Sequence, residues 1–265
     1  MDKIYKTEGK SINYKLIGVG QTIVLLHGFM EDLNMWDTIA LSLSKEYQVL
    51  LIDLPGHGKS DMLADVHTMD LMADLIHEIL SFEKIEKSVL IGHSMGGYVT
   101  LAFADKYKNS LSGFGLFHSH SLADDEKAKR NRERTIKIIE DDKGAFIHQF
   151  IPSLYAPDNR ERLKEEIDHQ ISLANKMNPK GITAALAGMK LRPMRLDVIV
   201  FSEVPILFIL GKQDSRNPLE KVMAQAATAN TAQINILGNS GHMGWQEETD
   251  KSISAIKGFM KLCEV

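Results

Sequence analysis

Cysteine is nearly absent from this chain: the single one, Cys263, among 265 residues cannot form an internal disulfide, so the fold must stand on its core. That excludes disulfide-stapled secreted scaffolds and fits a reducing compartment, which makes a cytoplasmic location the expectation. Cys263 itself reads as a packing residue rather than a reactive thiol. An excess of basic residues is missing too. At a formal net charge of −4 there is no broad positive field for phosphate backbones or anionic lipid, which argues against nucleic acid and membrane surfaces as partners. Long apolar runs are also lacking. Residues 1–15 alternate charged and apolar side chains, so neither a secretory signal nor a membrane anchor is expected there. No internal repeat or low-complexity tract breaks the chain.

What remains is an ordinary globular composition, 44% hydrophobic and 25% charged, with enough length for a large core. The length allows two domains, but large α/β folds hold this many residues in one unit, and one main domain carrying an insertion is the reading adopted. Residues 11–17, 22–26, 47–52, 88–91, 111–117, 204–210 and 233–237 read as strands, most of them short apolar runs bounded by glycine or polar residues. Helical spacing appears at Trp36, Ile39, Ala40 and Leu43, and over residues 68–82, where Met72, Leu75, Ile76 and Ile79 share a face and Thr68 suits the cap. Further helices are expected over residues 96–107, 219–229 and 249–262. Such alternation predicts an α/β fold, with a mostly parallel central sheet flanked by helices. The alternation breaks after residue 120. The charged, helix-forming stretch that follows predicts an inserted helical cap over residues 121–197, with residues 1–120 and 198–265 forming the core domain.

Chemistry concentrates at Gly92-His-Ser94-Met-Gly96, a G-x-S-x-G pattern placed after an apolar strand and before a helix. So sharp a turn forces its central residue into a strained backbone and needs neighbours almost without side chains, which Gly92, Gly96 and Gly97 provide. Ser94 would then stand clear of the sheet as a nucleophile. A hydroxyl is weak at neutral pH, so it needs a base held by an acid. Asp214 follows the strand over residues 204–210 and His242 follows the next, both at the carboxyl edge of the sheet where reacting groups gather in open α/β folds. The backbone N–H groups of Met95 and of Phe29, in His27-Gly28-Phe29, would receive the oxyanion.

These segments, together with Asp53-Leu-Pro-Gly-His-Gly-Lys-Ser60, Gly211-Lys-Gln-Asp214 with Pro218, and Ser240-Gly-His242, occur in the order found in the α/β-hydrolase fold family. The chain resembles a serine-nucleophile, carboxylesterase-like member of it over nearly its whole length outside the cap. The resemblance implies hydrolysis of a small-molecule ester through an acyl-enzyme, with no cofactor and no metal. Ser94 sets the chain apart from relatives that carry aspartate at this turn, the haloalkane dehalogenases and epoxide hydrolases. Tyr98 stands where an elimination enzyme of menaquinone synthesis usually carries arginine. Carbon–carbon bond hydrolases, thioesterases and cofactor-free perhydrolases share the same three residues, and a non-enzymatic small-ligand receptor is a further alternative.

Other candidates divide between site and scaffold. His27, Gly28, Met30, His118, His120 and Trp245 are candidate pocket residues, as are the side chains of Phe29 and Met95, with core packing the alternative for the apolar ones. His118-Ser-His120 could line the pocket or hinge into the cap; no carboxylate cluster accompanies it in the sequence to suggest a metal. His57, Asp53 and His93 read as structural, His93 pointing away from the site. Asp124 or Asp125 could compete with Asp214 but lies several residues into the cap, too far along the chain for that role. Arg192 and Arg195 could meet a substrate carboxylate, with surface pairing the alternative. Monomer and homodimer both remain open.

Overall fold

The computed structural model describes residues 2–264. Its strands are β1 (Asp2–Thr7), β2 (Lys10–Ile17), β3 (Thr22–Leu26), β4 (Gln48–Ile52), β5 (Ser88–His93), β6 (Leu111–Phe117), β7 (Ile206–Gly211) and β8 (Ala232–Leu237). They form one sheet in the order β1-β2-β4-β3-β5-β6-β7-β8. β1 and β2 pair antiparallel, as do β2 and β4, and every later pairing is parallel. All residues of β3, β5 and β7 are buried, because helices cover both faces; this is why these strands read as unbroken apolar runs. β1 went unpredicted. It is an edge strand, exposed along most of its length, so its sequence carries charges where a central strand carries valine or isoleucine.

The core helices are α1 (Asp37–Leu43), α2 (Met69–Phe82) and α3 (Met95–Lys106). Thr68 caps α2 as predicted, its hydroxyl accepting the Leu71 N–H at 3.1 Å, a contact worth about 1 kcal/mol. Between β6 and β7 lie α4 (Glu126–Phe150), α5 (Lys164–Lys176), α6 (Pro179–Leu191) and α7 (Leu196–Val200), with no strand among them. α4 is broken at Asp142, whose φ of −147° and ψ of 82° leave the helical region; its carboxylate accepts the Ala145 N–H and so caps the second half. α7 straddles the boundary read between residues 197 and 198 and packs on the core, against α3 and α8 (Leu219–Ala226). The chain closes with α9 (Gly244–Glu247), a short helix the sequence did not reveal, and α10 (Thr249–Leu262), which packs against α1. Among the described residues no helix is long and apolar enough to cross a membrane.

The segment between β6 and β7 is tied down over the carboxyl edge of the sheet. Gln170 on α5 donates to the Met30 carbonyl at 2.9 Å, and the α carbon of Gly56 approaches so closely that a β carbon on Gly181 would sit 3.0 Å from it. The expected strand ends at that edge, the loops after β3, β5, β6, β7 and β8, therefore open beneath α4, α5 and α6.

Candidate active site

Ser94 is the only residue between β5 and α3, and it takes φ 50° and ψ −111°, a conformation costly for any residue with a side chain. The surroundings impose it. The Ser94 N–H donates to the Phe117 carbonyl at 2.9 Å, and Ser119 Oγ donates to the Ser94 carbonyl at 2.8 Å. A β carbon on Gly92 would stand 2.1 Å from the Gly96 backbone, and one on Gly96 would stand 2.6 Å from the Leu26 carbonyl oxygen; no other residue type fits either position.

Two more side chains join the hydroxyl. His242 Nε2 lies 2.8 Å from Ser94 Oγ, and His242 Nδ1 lies 2.8 Å from Asp214 Oδ2. The loop carrying His242 is clamped on both sides: its own N–H donates to the Leu154 carbonyl at 2.7 Å, and the buried Glu247 carboxylate accepts the N–H groups of Gly241 and Met243. Asp214 is buried, and its Oδ1 accepts from the Arg216 and Asn217 N–H groups at 2.8 and 3.1 Å. Burial alone would raise its pKa, but the His242 and His118 imidazoles beside it outweigh that and hold the carboxyl well below the usual carboxylate range. It is therefore ionised throughout any working pH. Both ring nitrogens of His118 face backbone N–H groups, Nδ1 that of Gly211 and Nε2 that of Gly244, each at 3.2 Å, and Nδ1 also lies 3.2 Å from Asp214 Oδ2. His118, Asp214 and His242 bring ligand atoms within 4.8 Å of one another, and within that group His242 Nδ1 presents its proton to the ionised Asp214 carboxylate.

The loop after β3 is braced by a pair that sequence reasoning missed. Glu31 Oε2 accepts the Gly28 N–H at 2.7 Å and faces His93 Nδ1 at 2.8 Å, while His93 Nε2 faces the His242 carbonyl at 2.9 Å. Both ring nitrogens thus meet acceptors, so both must carry protons. Burial opposes that charge, but Glu31 overrides it and raises the His93 pKa, as His93 lowers that of Glu31. A buried ion pair consequently links this loop, the serine strand and the His242 backbone. Among the described residues the N–H groups of Phe29 and Met95 donate to no protein acceptor, which leaves them free to serve an oxyanion.

A cavity of about 440 Å³ opens beside Ser94 and His242. Phe29, Phe150 and Leu186 supply apolar wall, and Tyr98, Arg132 and Arg192 supply polar wall. Of the candidate pocket residues, His120 and Phe29 line it. His27, Gly28, Met30, Met95, His118 and Trp245 do not, and each has a physical reason. His27 Nε2 accepts the Leu54 N–H at 2.9 Å, which turns the ring into the scaffold between β3 and β4. A side chain on Gly28 would strike Glu31 and His93. Met30 and Met95 are wholly buried in the core, His118 is spent on Asp214, and Trp245 is buried. Arg192 is no surface pair either: its side chain is 4% exposed and meets Asp124 at 2.7 Å. Arg195 instead bridges to Asp70 and Asp105. Asp125 caps α4 through the Ala128 N–H, and Asp53 accepts from Leu33 and Lys59 N–H groups away from the cavity. Spacing in the sequence carried no signal for Glu31, Arg132 or Glu247.

Comparison with known proteins bears on the fold family. A sequence profile of the alpha/beta hydrolase fold matches residues 21–248. Among solved structures the chain is similar to a thermophilic esterase from Thermogutta terrifontis, solved with malate bound, at 29% identity, with both chains covered in full and a TM-score of 0.94. It is 25% identical to the 2-succinyl-6-hydroxy-2,4-cyclohexadiene-1-carboxylate synthase of Enterobacter sp. (strain 638), over 91% of this chain and 92% of that protein. It is 24% identical to the dihydrolipoyllysine-residue acetyltransferase component of the acetoin cleaving system of Pseudomonas putida, over 94% of this chain, and spans 66% of that protein's length.

Proposed function

The chain belongs to the alpha/beta hydrolase fold family, and on that premise we propose that it is a serine hydrolase that cleaves carboxylic esters of small molecules through an acyl-enzyme. The observation that carries the reading is the unbroken line of hydrogen bonds from Ser94 Oγ to His242 to Asp214, with 2.8 Å at each step. His242 Nε2 takes the Ser94 proton as Oγ attacks the ester carbonyl, and the imidazolium so formed is stabilised by the ionised Asp214. The tetrahedral oxyanion sits between the Phe29 and Met95 N–H groups, each donor contributing about a hundredfold in rate. His242 then returns the proton to the departing alcohol. A water activated by the same nitrogen releases the acid and frees Ser94.

The helices over residues 121–197 act in this reading as a cap. They roof the site, exclude bulk water from the charges that develop and limit the substrate to what a cavity of about 440 Å³ admits. The test is a chain-length series of simple esters assayed beside a thioester, a carbon–carbon diketone substrate and a peroxide-dependent halogenation assay. The expected result is saturable ester hydrolysis that falls as the acyl chain outgrows the cavity. Ester rates at background, with either of the other substrates or peroxide chemistry turned over, would overturn the reading.

A further inference from the structure

We propose that the cavity beside Ser94 is an anion-binding subsite, and that the ester cleaved there carries a free carboxylate held by Arg192, Arg132 and Tyr98. This rests on the hydrolase reading and narrows its substrate class.

The chain as a whole is negative, yet the cavity wall is not. Three guanidinium groups, Arg132, Arg192 and Arg216, line it against one carboxylate outside the His93 pair, Asp124. Asp124 is shared: Arg132 grips it through Nε and Nη2, and Arg192 Nη1 meets it at 2.7 Å. A single carboxylate cannot neutralise two cations, and Arg216 at the exposed rim has no carboxylate within ion-pair reach among the described residues.

Donors are left over as well. Arg192 Nε is buried without a hydrogen-bond partner, although the side chain is 4% exposed and lies with its guanidinium 3.9 Å from the Tyr98 ring centre. Arg132 Nη1 has only the Met189 sulfur at 3.5 Å, a weak acceptor. A buried cationic N–H without an acceptor is costly unless something fills the place. Tyr98 adds a third donor. His120 Nδ1 accepts the Leu122 N–H at 3.1 Å, so its single proton is on Nε2 and points to the Tyr98 hydroxyl oxygen at 3.2 Å. That leaves the Tyr98 hydroxyl hydrogen free to donate into the cavity. Burial first, and then Arg192, push the His120 pKa down to about 4, so the ring stays neutral at working pH. A neutral acyl chain would use none of these donors. A carboxylate would use them together, since the planar guanidinium presents paired N–H groups to it.

Two matched pairs test the idea and show which side of the ester bears the charge. Monomethyl glutarate is compared with methyl pentanoate, and 3-(butanoyloxy)propanoate with propyl butanoate, in wild type, Arg192→Met and Arg192→Lys. In wild type kcat/KM should favour the anionic member of at least one pair by about tenfold or more. Arg192→Met should lower that ratio by a similar factor, and Arg192→Lys should restore part of it. Equal or poorer use of both anionic esters by wild type would overturn the proposal, as would a ratio unmoved by Arg192→Met. Should Arg192→Met fail to fold, wild type still decides: glutarate must inhibit neutral-ester hydrolysis competitively, and its failure to do so at millimolar concentration counts against the subsite. If no ester of either kind is cleaved, the hydrolase reading has failed by itself, and calorimetric titration of wild type with glutarate then reports on the subsite alone, binding supporting it and no binding overturning it.

Discussion

Replacing Asp214 with asparagine exchanges one carboxylate oxygen for an NH2 group, and the surroundings dictate which oxygen goes. Oδ1 accepts the Arg216 and Asn217 N–H groups at 2.8 and 3.1 Å, so the amide oxygen must remain there; turned the other way, the NH2 would face two donors. The amide nitrogen therefore takes the place of Oδ2, 2.8 Å from His242 Nδ1. Two donors cannot share that contact. His242 must give up its Nδ1 proton and carry it on Nε2, where it points at Ser94 and blocks the lone pair that should receive the serine proton. A wrong tautomer in an otherwise intact triad costs about 10⁴-fold in kcat, which is about 5.4 kcal/mol at roughly 1.36 kcal/mol per tenfold. The fold should persist, because the substitution keeps both backbone hydrogen bonds and the side-chain volume. Steady-state hydrolysis of a short-chain ester near neutral pH, with Tm measured alongside, is the assay. A folded Asp214→Asn protein with kcat within about tenfold of wild type would show that Asp214 does not set the imidazole tautomer.

Gly92→Ala places a methyl 2.1 Å from the Gly96 backbone, and is expected to cost about 3 kcal/mol or more, read as a fall in the urea midpoint; an unchanged midpoint would mean the turn is not so tightly packed. Glu31→Gln removes the charge partner of His93 and should cost about 2 kcal/mol, the value of a buried charge-assisted hydrogen bond. Because the folded pKa of His93 is raised above its ordinary 6.5, the deficit of the variant should be full below about pH 6.5 and shrink as pH climbs through the folded value. Because that of Glu31 is lowered from 4.5, the deficit should also shrink as pH falls through the folded Glu31 value. Thermal melts of both proteins from acid to mildly alkaline pH would show this, and a deficit independent of pH would contradict the ion pair. Glu247→Gln must turn its NH2 against a donor in either orientation, since one oxygen accepts the Ala156 N–H and Asn159 Nδ2 and the other the Gly241 and Met243 N–H groups. Loss of about 1–3 kcal/mol together with a lower kcat is expected, whereas lost stability at full kcat would mean the His242 loop does not depend on this clamp.

Local rules made much of this molecule legible from its residues. β3, β6 and α10 lie where apolar runs and helical spacing put them, because strands buried on both faces have no polar alternation to blur their limits. Ser94, Asp214 and His242 were legible for a related reason: Ser94 and Asp214 follow the buried strands β5 and β7, His242 follows the edge strand β8, and each lies in a turn with glycines demanded by close contacts, as short as 2.1 Å at Gly92 and Gly211. β1 escaped because an exposed edge strand needs no apolar pattern. The pocket escaped for a deeper reason. Arg132 on α4 and Arg192 beyond α6 meet at Asp124 only once those helices have packed, and no spacing along the chain encodes that meeting. His118 shows the same limit. Its position after β6 was legible, but whether its ring entered the cavity or turned beneath Asp214 depended on the Gly244 N–H, contributed by a helix the sequence did not reveal.

Covalent labelling with a fluorophosphonate, followed by peptide mass mapping, tests the nucleophile most directly. Wild type should take up one adduct per chain on the peptide that contains Ser94, and Ser94→Ala should take up none while melting at the wild-type temperature. Equal labelling of the alanine variant, or no labelling of folded wild type, would contradict Ser94 as the attacking group.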